Sequence, residues 1–162
     1  MHLGTDQIAT AEQAYAQAQS WLQESVAVLE KVGLPDVLNA ALATAGYAAW
    51  GAGQYLQAKE CLAQALHNAQ QTHSLGTFLL ALPGVALLMV GREEIERAIE
   101  LYALASRHPL VANARWFEDI AGRYIADASA DWPPDVVSAA RTRELAQDLD
   151  RVIQELMAEL GR

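Results

Sequence analysis

The feature that most constrains this chain is a register of side-chain sizes that returns every 40 residues. Ala18, Ala58 and Ala98 mark it. Leu22, Leu62 and Tyr102 follow four residues later, and Ser25, Ala65 and Ala105 three after that. Steps of four and three place each trio on one face of a helix. The small members let two helices approach closely, and the large one fills the gap between pairs. A lone helix pair cannot bury such a face, but stacked pairs bury a continuous core, and about three are needed. The register therefore predicts an all-α stack of antiparallel helix pairs.

The rest of the chain reads as about seven helices joined by short breaks, with no strand pattern. The first, Asp6 to Val32, carries Ile8, Ala11, Tyr15, Ala18, Leu22, Val26 and Leu29 at helical spacing, and Gly33 follows its end. Pro35 or Asp36 opens a second, to about Trp50. Gly51-Ala52-Gly53 breaks it, and a third runs from about Tyr55 to Gln71. The fourth, Leu75 to Met89, is apolar on nearly every face and is expected in the middle of the structure. Pro83 either kinks it or starts it; the helix formers before Pro83 favour the kink. A fifth helix is expected from Glu93 to Arg107, a sixth from Val111 to Ser129 and a seventh from Val136 to Leu160. Short connections imply antiparallel neighbours. No Pro-, Gly- or Ser-rich linker divides residues 1–162, so one domain is expected.

Within this pattern the unit from Asn39 to Thr72 resembles a tetratricopeptide repeat. It carries Leu42, Ala45-Gly46 and Ala49, then Gly53-Gln54-Tyr55, then Ala58, Leu62 and Ala65. The family pattern has a Leu-Gly pair in the first helix, a Gly-Asp-Tyr turn, and Ala-aromatic-Ala in the second. The resemblance covers residues 6 to 110 well and the last two helices loosely. Two features depart from it. The Pro that usually closes a unit is missing, and Ala98 follows Gly91 at two residues more than Ala58 follows Gly53. The 40-residue period exceeds the usual one of about 34. It is similar to the longer repeats of large ATP-dependent signalling regulators, including those related to the maltose-regulator transcription activators. The resemblance implies a right-handed α-solenoid with a concave groove that docks partners or senses effectors, and no reaction.

Composition narrows the partners. Net charge is −9, and only Lys31 and Lys59 precede Arg92. Such a surface repels phosphate backbones and anionic lipids, so neither nucleic acid nor membrane is an expected partner. The longest apolar run, Phe78 to Val90, is too short to span a bilayer. The start of the chain lacks a signal-peptide pattern. With one cysteine, Cys61, no internal disulfide can form. A cytoplasmic protein is the expectation.

No catalytic, cofactor or metal constellation is found. Gly51-Ala52-Gly53 lacks the later Gly and the Lys of a phosphate cradle. His2, His67, His73 and His108 have no metal-ligand spacing. Cys61 reads as a small buried hydrophobe. Glu118 and Asp119, as sequence neighbours, diverge by about 100° on a helix and form no acid–base dyad.

The candidate binding residues lie on the first helix of each pair, which lines the concave face in repeats of this type. With Gly46 setting the register, Tyr47 and Trp50 point to that face or its edge. Matching Gly122 to Gly46 adds Trp116, Asp119 and Arg123, spaced by three and four on one stripe. An aromatic beside an Asp and an Arg can hold a polar ligand or a peptide. The same three equally suit a packed Trp beside a structural ion pair, with Arg115 and Arg123 both in reach of Asp119.

The last helix, residues 135–160, presents Leu145, Leu149, Val152, Ile153, Leu156 and Leu160 on one stripe. A C-terminal cap over the final repeat is the preferred reading. Pairing of the stripe with its copy in a homodimer is the alternative. The expected function is a non-catalytic scaffold for a protein or peptide, part of a larger signalling or transcription regulator. A small-molecule effector sensor is the second reading.

Overall fold

The computed structural model describes residues 5–143 and 149–161, and every regular element among them is helical. The first five helices are α1 (Thr5–Val32), α2 (Pro35–Gly51), α3 (Tyr55–Thr72), α4 (Leu75–Gly91) and α5 (Ile95–Ser106). A one-turn helix, α6 (Pro109–Ala112), follows. Next come α7 (Arg115–Phe117), a π-helical turn (Glu118–Gly122) and α8 (Arg123–Ala128), end to end. The chain closes with α9 (Pro134–Arg143) and α10 (Leu149–Leu160).

The connections repeat with a period of 20. Gly33, Gly53, His73 and Glu93 all have positive φ, between 52° and 75°. Each sits just after a helix, where the left-handed conformation ends the rod and frees the chain to reverse. Three of these turns share one bond. The N–H of Gln54, Ser74 and Glu94 reaches back to the carbonyl of Ala49, Ala69 and Met89. The turn before Ala98 is thus centred on Glu93, not Gly91. Ala58 and Ala98 each follow their left-handed residue by five, so the two-residue excess noted above vanishes. Glu93 itself is outside α5, which starts at Ile95.

Successive helices pack as neighbours, and α2 also touches α4 directly. The π turn and α8 pack on the far side of α4. So α2, α4 and the α7–α8 rod form one layer, and α1, α3 and α5 alternate with them. The middle helix α4 is buried from Thr77 to Met89 save for Leu80, as its apolar circumference predicts. It runs straight through Pro83 in sequence, so the alternative start at Pro83 is excluded. Ser74 caps it by accepting the N–H of Thr77.

The 40-residue register is buried in its second and third copies, where Ala58, Leu62, Ala65, Ala98 and Ala105 are fully buried and Tyr102 partly so. Its first copy departs from this: Ala18 and Leu22 are only partly buried and Ser25 is exposed, because they lie on α1 at the edge of the packing. Leu62 sits in a notch between two glycines: a Cβ on Gly46 of α2 would lie 2.6 Å from its Cγ, and one on Gly84 of α4 2.8 Å from its Cδ2. At Gly122 a Cβ would meet the Glu118 carboxylate first and then the Tyr102 hydroxyl, at 2.6 Å. A bulky side chain from one layer thus wedges into glycine gaps of the other.

The expected sixth helix is interrupted. Asn113 and Ala114 separate α6 from the α7–α8 rod, and the π turn adds a residue to one loop of that rod. The expected seventh helix, 135–160, is described as α9 and α10, and Leu145 and Asp148 lie outside the described residues. Its α9 part packs on α5, but α10 lies along α3. Val152, Ile153, Leu156 and Leu160 are all buried there. The described part of the stripe is therefore covered within the chain, which corrects the homodimer reading, and α10 lies on α3 in the middle of the packing and not over the last repeat.

Ion pairs tie this C-terminal part to α5. Arg97 donates to Glu159 at 3.0 Å and to Glu100 at 3.1 Å, and lies 3.7 Å from Glu155. Arg143 of α9 reaches Glu96 at 3.1 Å and also pairs with Glu100. Its guanidinium is held above the usual arginine range first by the Glu96 hydrogen bond, then by the Glu100 charge. Glu100, 4% exposed, is the charge at the centre of this clasp.

Candidate functional site

Four of the five sequence-predicted site residues meet in one pocket. Tyr47 and Trp50 come from α2, Trp116 from α7 and Asp119 from the π turn. The pocket encloses about 230 Å³. The first helix adds Tyr15 as a third wall, and α8 adds Tyr124.

The rings are held in two edge-to-face couples. Tyr47 and Trp116 have centroids 5.1 Å apart at 72°, and Trp50 and Tyr124 4.9 Å apart at 78°. This arrangement sets the positive edge of one ring on the negative face of another and adds roughly 0.5–1.5 kcal/mol per pair beyond burial. Each couple bridges α2 to the α7–α8 rod, so the pocket walls also join the layer. Trp116 packs edge-on against Phe117 as well, at 4.9 Å, and Phe117 is buried.

Tyr47 is the anchor. Its hydroxyl donates to the Leu80 carbonyl at 2.7 Å, in the turn where the Pro83 ring crowds the helix. Burial pushes its phenol well above the ordinary tyrosine range, against the opposing effect of a backbone hydrogen bond. It stays neutral and presents a ring, not a charge. Trp50 is partly buried, and its indole nitrogen has no acceptor among the described residues. The ring surface left to solvent belongs to Tyr15, Trp116 and Tyr124, each exposed by between 42% and 46%.

Asp119 is the one charged residue lining the pocket. Both sequence-predicted mates engage it: Arg123 at 2.7 Å and Arg115 at 3.6 Å. Arg123 does not line the pocket and touches it only through Asp119. Its side chain is 60% exposed, so this pair is easily exchanged. The one-stripe reading of Trp116, Asp119 and Arg123 thus holds for the ion pair and places two of the three at the pocket.

The π turn divides its own residues between two sides. Asp119 and Ile120 face the aromatic pocket, whereas Glu118 and Gly122 face a second recess of 390 Å³ beside α5. There the Tyr102 hydroxyl donates to Glu118 Oε2 at 3.1 Å. Burial, and then the Glu118 carboxylate, push the Tyr102 phenol up to about 12.

Two wall residues escaped the sequence reading. Tyr124 was legible: Trp116, Ile120 and Tyr124 are spaced by four. Tyr15 was assigned to the inward stripe of α1, and nothing in the sequence tells that α1 ends its stripe at a pocket rim. Its ring packs at Gly51, where a Cβ would lie 2.6 Å from it. Cys61 is partly buried with its thiol pushed up, first by burial and then by Glu60, which works against nucleophilic use. No group of His, Cys, Asp and Glu fit to hold a metal occurs among the described residues, and no helix of theirs is long and apolar enough to cross a membrane. Comparison of the chain with protein-family models, with curated proteins and with solved structures returns no match.

Proposed function

We propose that this protein is a non-catalytic binding module of the tetratricopeptide type, which takes a protein or peptide partner at the face where α2 meets the α7–α8 rod. The observation that carries this reading is the convergence of Tyr47, Trp50, Trp116 and Asp119, from separate elements, on one partly open pocket. Exposed aromatics beside a carboxylate supply large contact area at low entropic cost plus one orienting charge, which is the make-up of interface hot spots. The acidic surface disfavours nucleic acid as the partner. A place in a larger cytoplasmic signalling or transcription regulator follows from the resemblance of Asn39 to Thr72 to the longer repeats of such proteins.

Selection of peptides from a displayed random library tests the reading. We expect enriched sequences that share a motif, and at least about ten-fold weaker binding by Trp116→Ala, as for a hot-spot aromatic. Enriched peptides that bind Trp116→Ala and Asp119→Ala as well as the parent chain, with both variants folded by circular dichroism, would sink it. The second reading, an effector sensor, is favoured by the small size of the pocket. It predicts thermal stabilisation by a small molecule that is lost in Trp116→Ala or Arg123→Ala.

A further inference from the structure

Resting on that binding reading, the geometry points to a specific occupant for the aromatic pocket: an alkylated ammonium group, presented by a small molecule or by a methylated lysine side chain. Three observations converge. First, the walls are rich in rings. Tyr15, Tyr47, Trp50, Trp116 and Tyr124 enter from α1, α2, α7 and α8, and within each couple the two ring planes stand at a steep angle. Ring faces carry negative potential, so surrounding faces attract a cation, Trp most strongly. Second, the charge lining the pocket is negative. Asp119 is the one carboxylate there, in a chain of net charge −9. Arg123 pairs with its Oδ1 and Arg115 with its Oδ2, both on exposed side chains that do not line the pocket. An incoming cation can take the Arg123 place while that guanidinium returns to water at little cost. Third, the size is restrictive. A volume of about 230 Å³ lies below the roughly 300–1,000 Å³ of pockets that enclose drug-sized ligands, so it suits a head group or one side-chain tip.

The degree of hydration selects among cations. A primary ammonium donates three hydrogen bonds. Apart from the Asp119 carboxylate, the Thr44 hydroxyl and the tyrosine hydroxyls, the side chains lining the pocket offer little to accept them. Its desolvation would go largely uncompensated. Methyl groups remove those donors and spread the charge over a surface that ring faces can contact directly. A neutral group of the same shape keeps the contact but loses the electrostatic attraction.

The test compares choline with 3,3-dimethyl-1-butanol, in which carbon replaces the quaternary nitrogen, by isothermal titration on the full chain. A short peptide carrying trimethyllysine is titrated in parallel with its unmethylated form. We expect choline or the methylated peptide to bind about ten-fold or more tightly than its control, the scale of a partly desolvated cation–π contact. Whichever of the two binds more tightly identifies the source of the ammonium group. Trp116→Phe, which keeps a ring, should retain most of the binding. Trp116→Leu, which keeps bulk without a π face, should lose it. Equal binding of choline and its neutral isostere overturns the ammonium inference and leaves an apolar pocket, with the binding-module reading intact. Absence of saturable binding by choline and by the methylated peptide also overturns it, and the peptide selection above then decides the broader reading alone.

Discussion

At the residue scale, the molecule is organised by what three glycines leave out. Gly46, Gly84 and Gly122 omit the one carbon that would meet Leu62 or Tyr102. Alanine is the better helix former, by roughly 1 kcal/mol, so an isolated helix would prefer it at each place. The wedge reverses the preference. Gly84→Ala should destabilise the protein by up to about 2 kcal/mol, the overpacking cost less the gain in helix propensity. Gly76→Ala, in the same helix but with no heavy atom near the added carbon, should be neutral or stabilising. Urea midpoints of the two variants check this. Repeating Gly84→Ala in a Leu62→Ala background should remove most of its cost, because Leu62 is its nearest neighbour and only the Tyr47 ring, 3.2 Å away, is left. Equal effects at Gly76 and Gly84 would refute the wedge.

Tyr102 carries a second consequence. Its folded pKa is about 12, against an ordinary value of about 10 in the unfolded chain. As pH rises past 10, the unfolded chain loses its phenolic proton first, so the unfolded state gains. The stability tied to this neutral phenol is thus complete below pH 10 and disappears as pH climbs through 12. Denaturant midpoints measured at about pH 9 and about pH 11.5 should fall between the two, less steeply in Tyr102→Phe. Tyr47, shifted the same way, keeps the drop from vanishing.

At the element scale, each helix owes its ends to a local rule and its place to a distant partner. The left-handed turns at Gly33 and Gly53 are written as glycines, and the sequence reading found both breaks. His73 and Glu93 adopt the same conformation without the residue that advertises it, so Glu93 was read as the first residue of a helix. The interruption of the sixth helix was illegible for a different reason. Asn113 and Ala114 are ordinary helix-compatible residues, and the π turn sets Glu118 and Gly122 against Tyr102, a partner 16 residues or more away. The docking of α10 has the same character. Its apolar stripe was plain, but its seat on α3 depends on Arg97 meeting Glu155 and Glu159, about 60 residues downstream. Arg97→Leu should therefore do more than cost one surface ion pair. It leaves the buried Glu100 with Arg143 alone and should destabilise by about 2–4 kcal/mol. Hydrogen exchange should rise first in α10, with α2 and α4 unaffected. Uniform acceleration across all helices would mean that the clasp does not hold α10 in particular.

At the scale of the whole molecule, the fold class was legible and the site was partly so, for different reasons. Periodicity reports which face of a helix is buried, and the 40-residue register placed Ala58, Leu62 and Ala65 in the core where they are found. Tyr47, Trp50, Trp116 and Asp119 came instead from the tetratricopeptide resemblance, with Gly122 matched to Gly46, and all four line the candidate pocket. Tyr124, in register with Trp116 and Ile120, was legible but not read, whereas Tyr15 as a pocket wall and the place of Arg123 outside the lining depend on how separate helices meet.

The placement of α10 also fixes an order of events. The strip of α3 that α10 covers is synthesised well before the segment that covers it. Until residues 149–160 emerge, the strip that receives Val152, Leu156 and Leu160 is bare and sticky. Emergence of residues 149–160, and not the addition of each hairpin in turn, is what covers that strip.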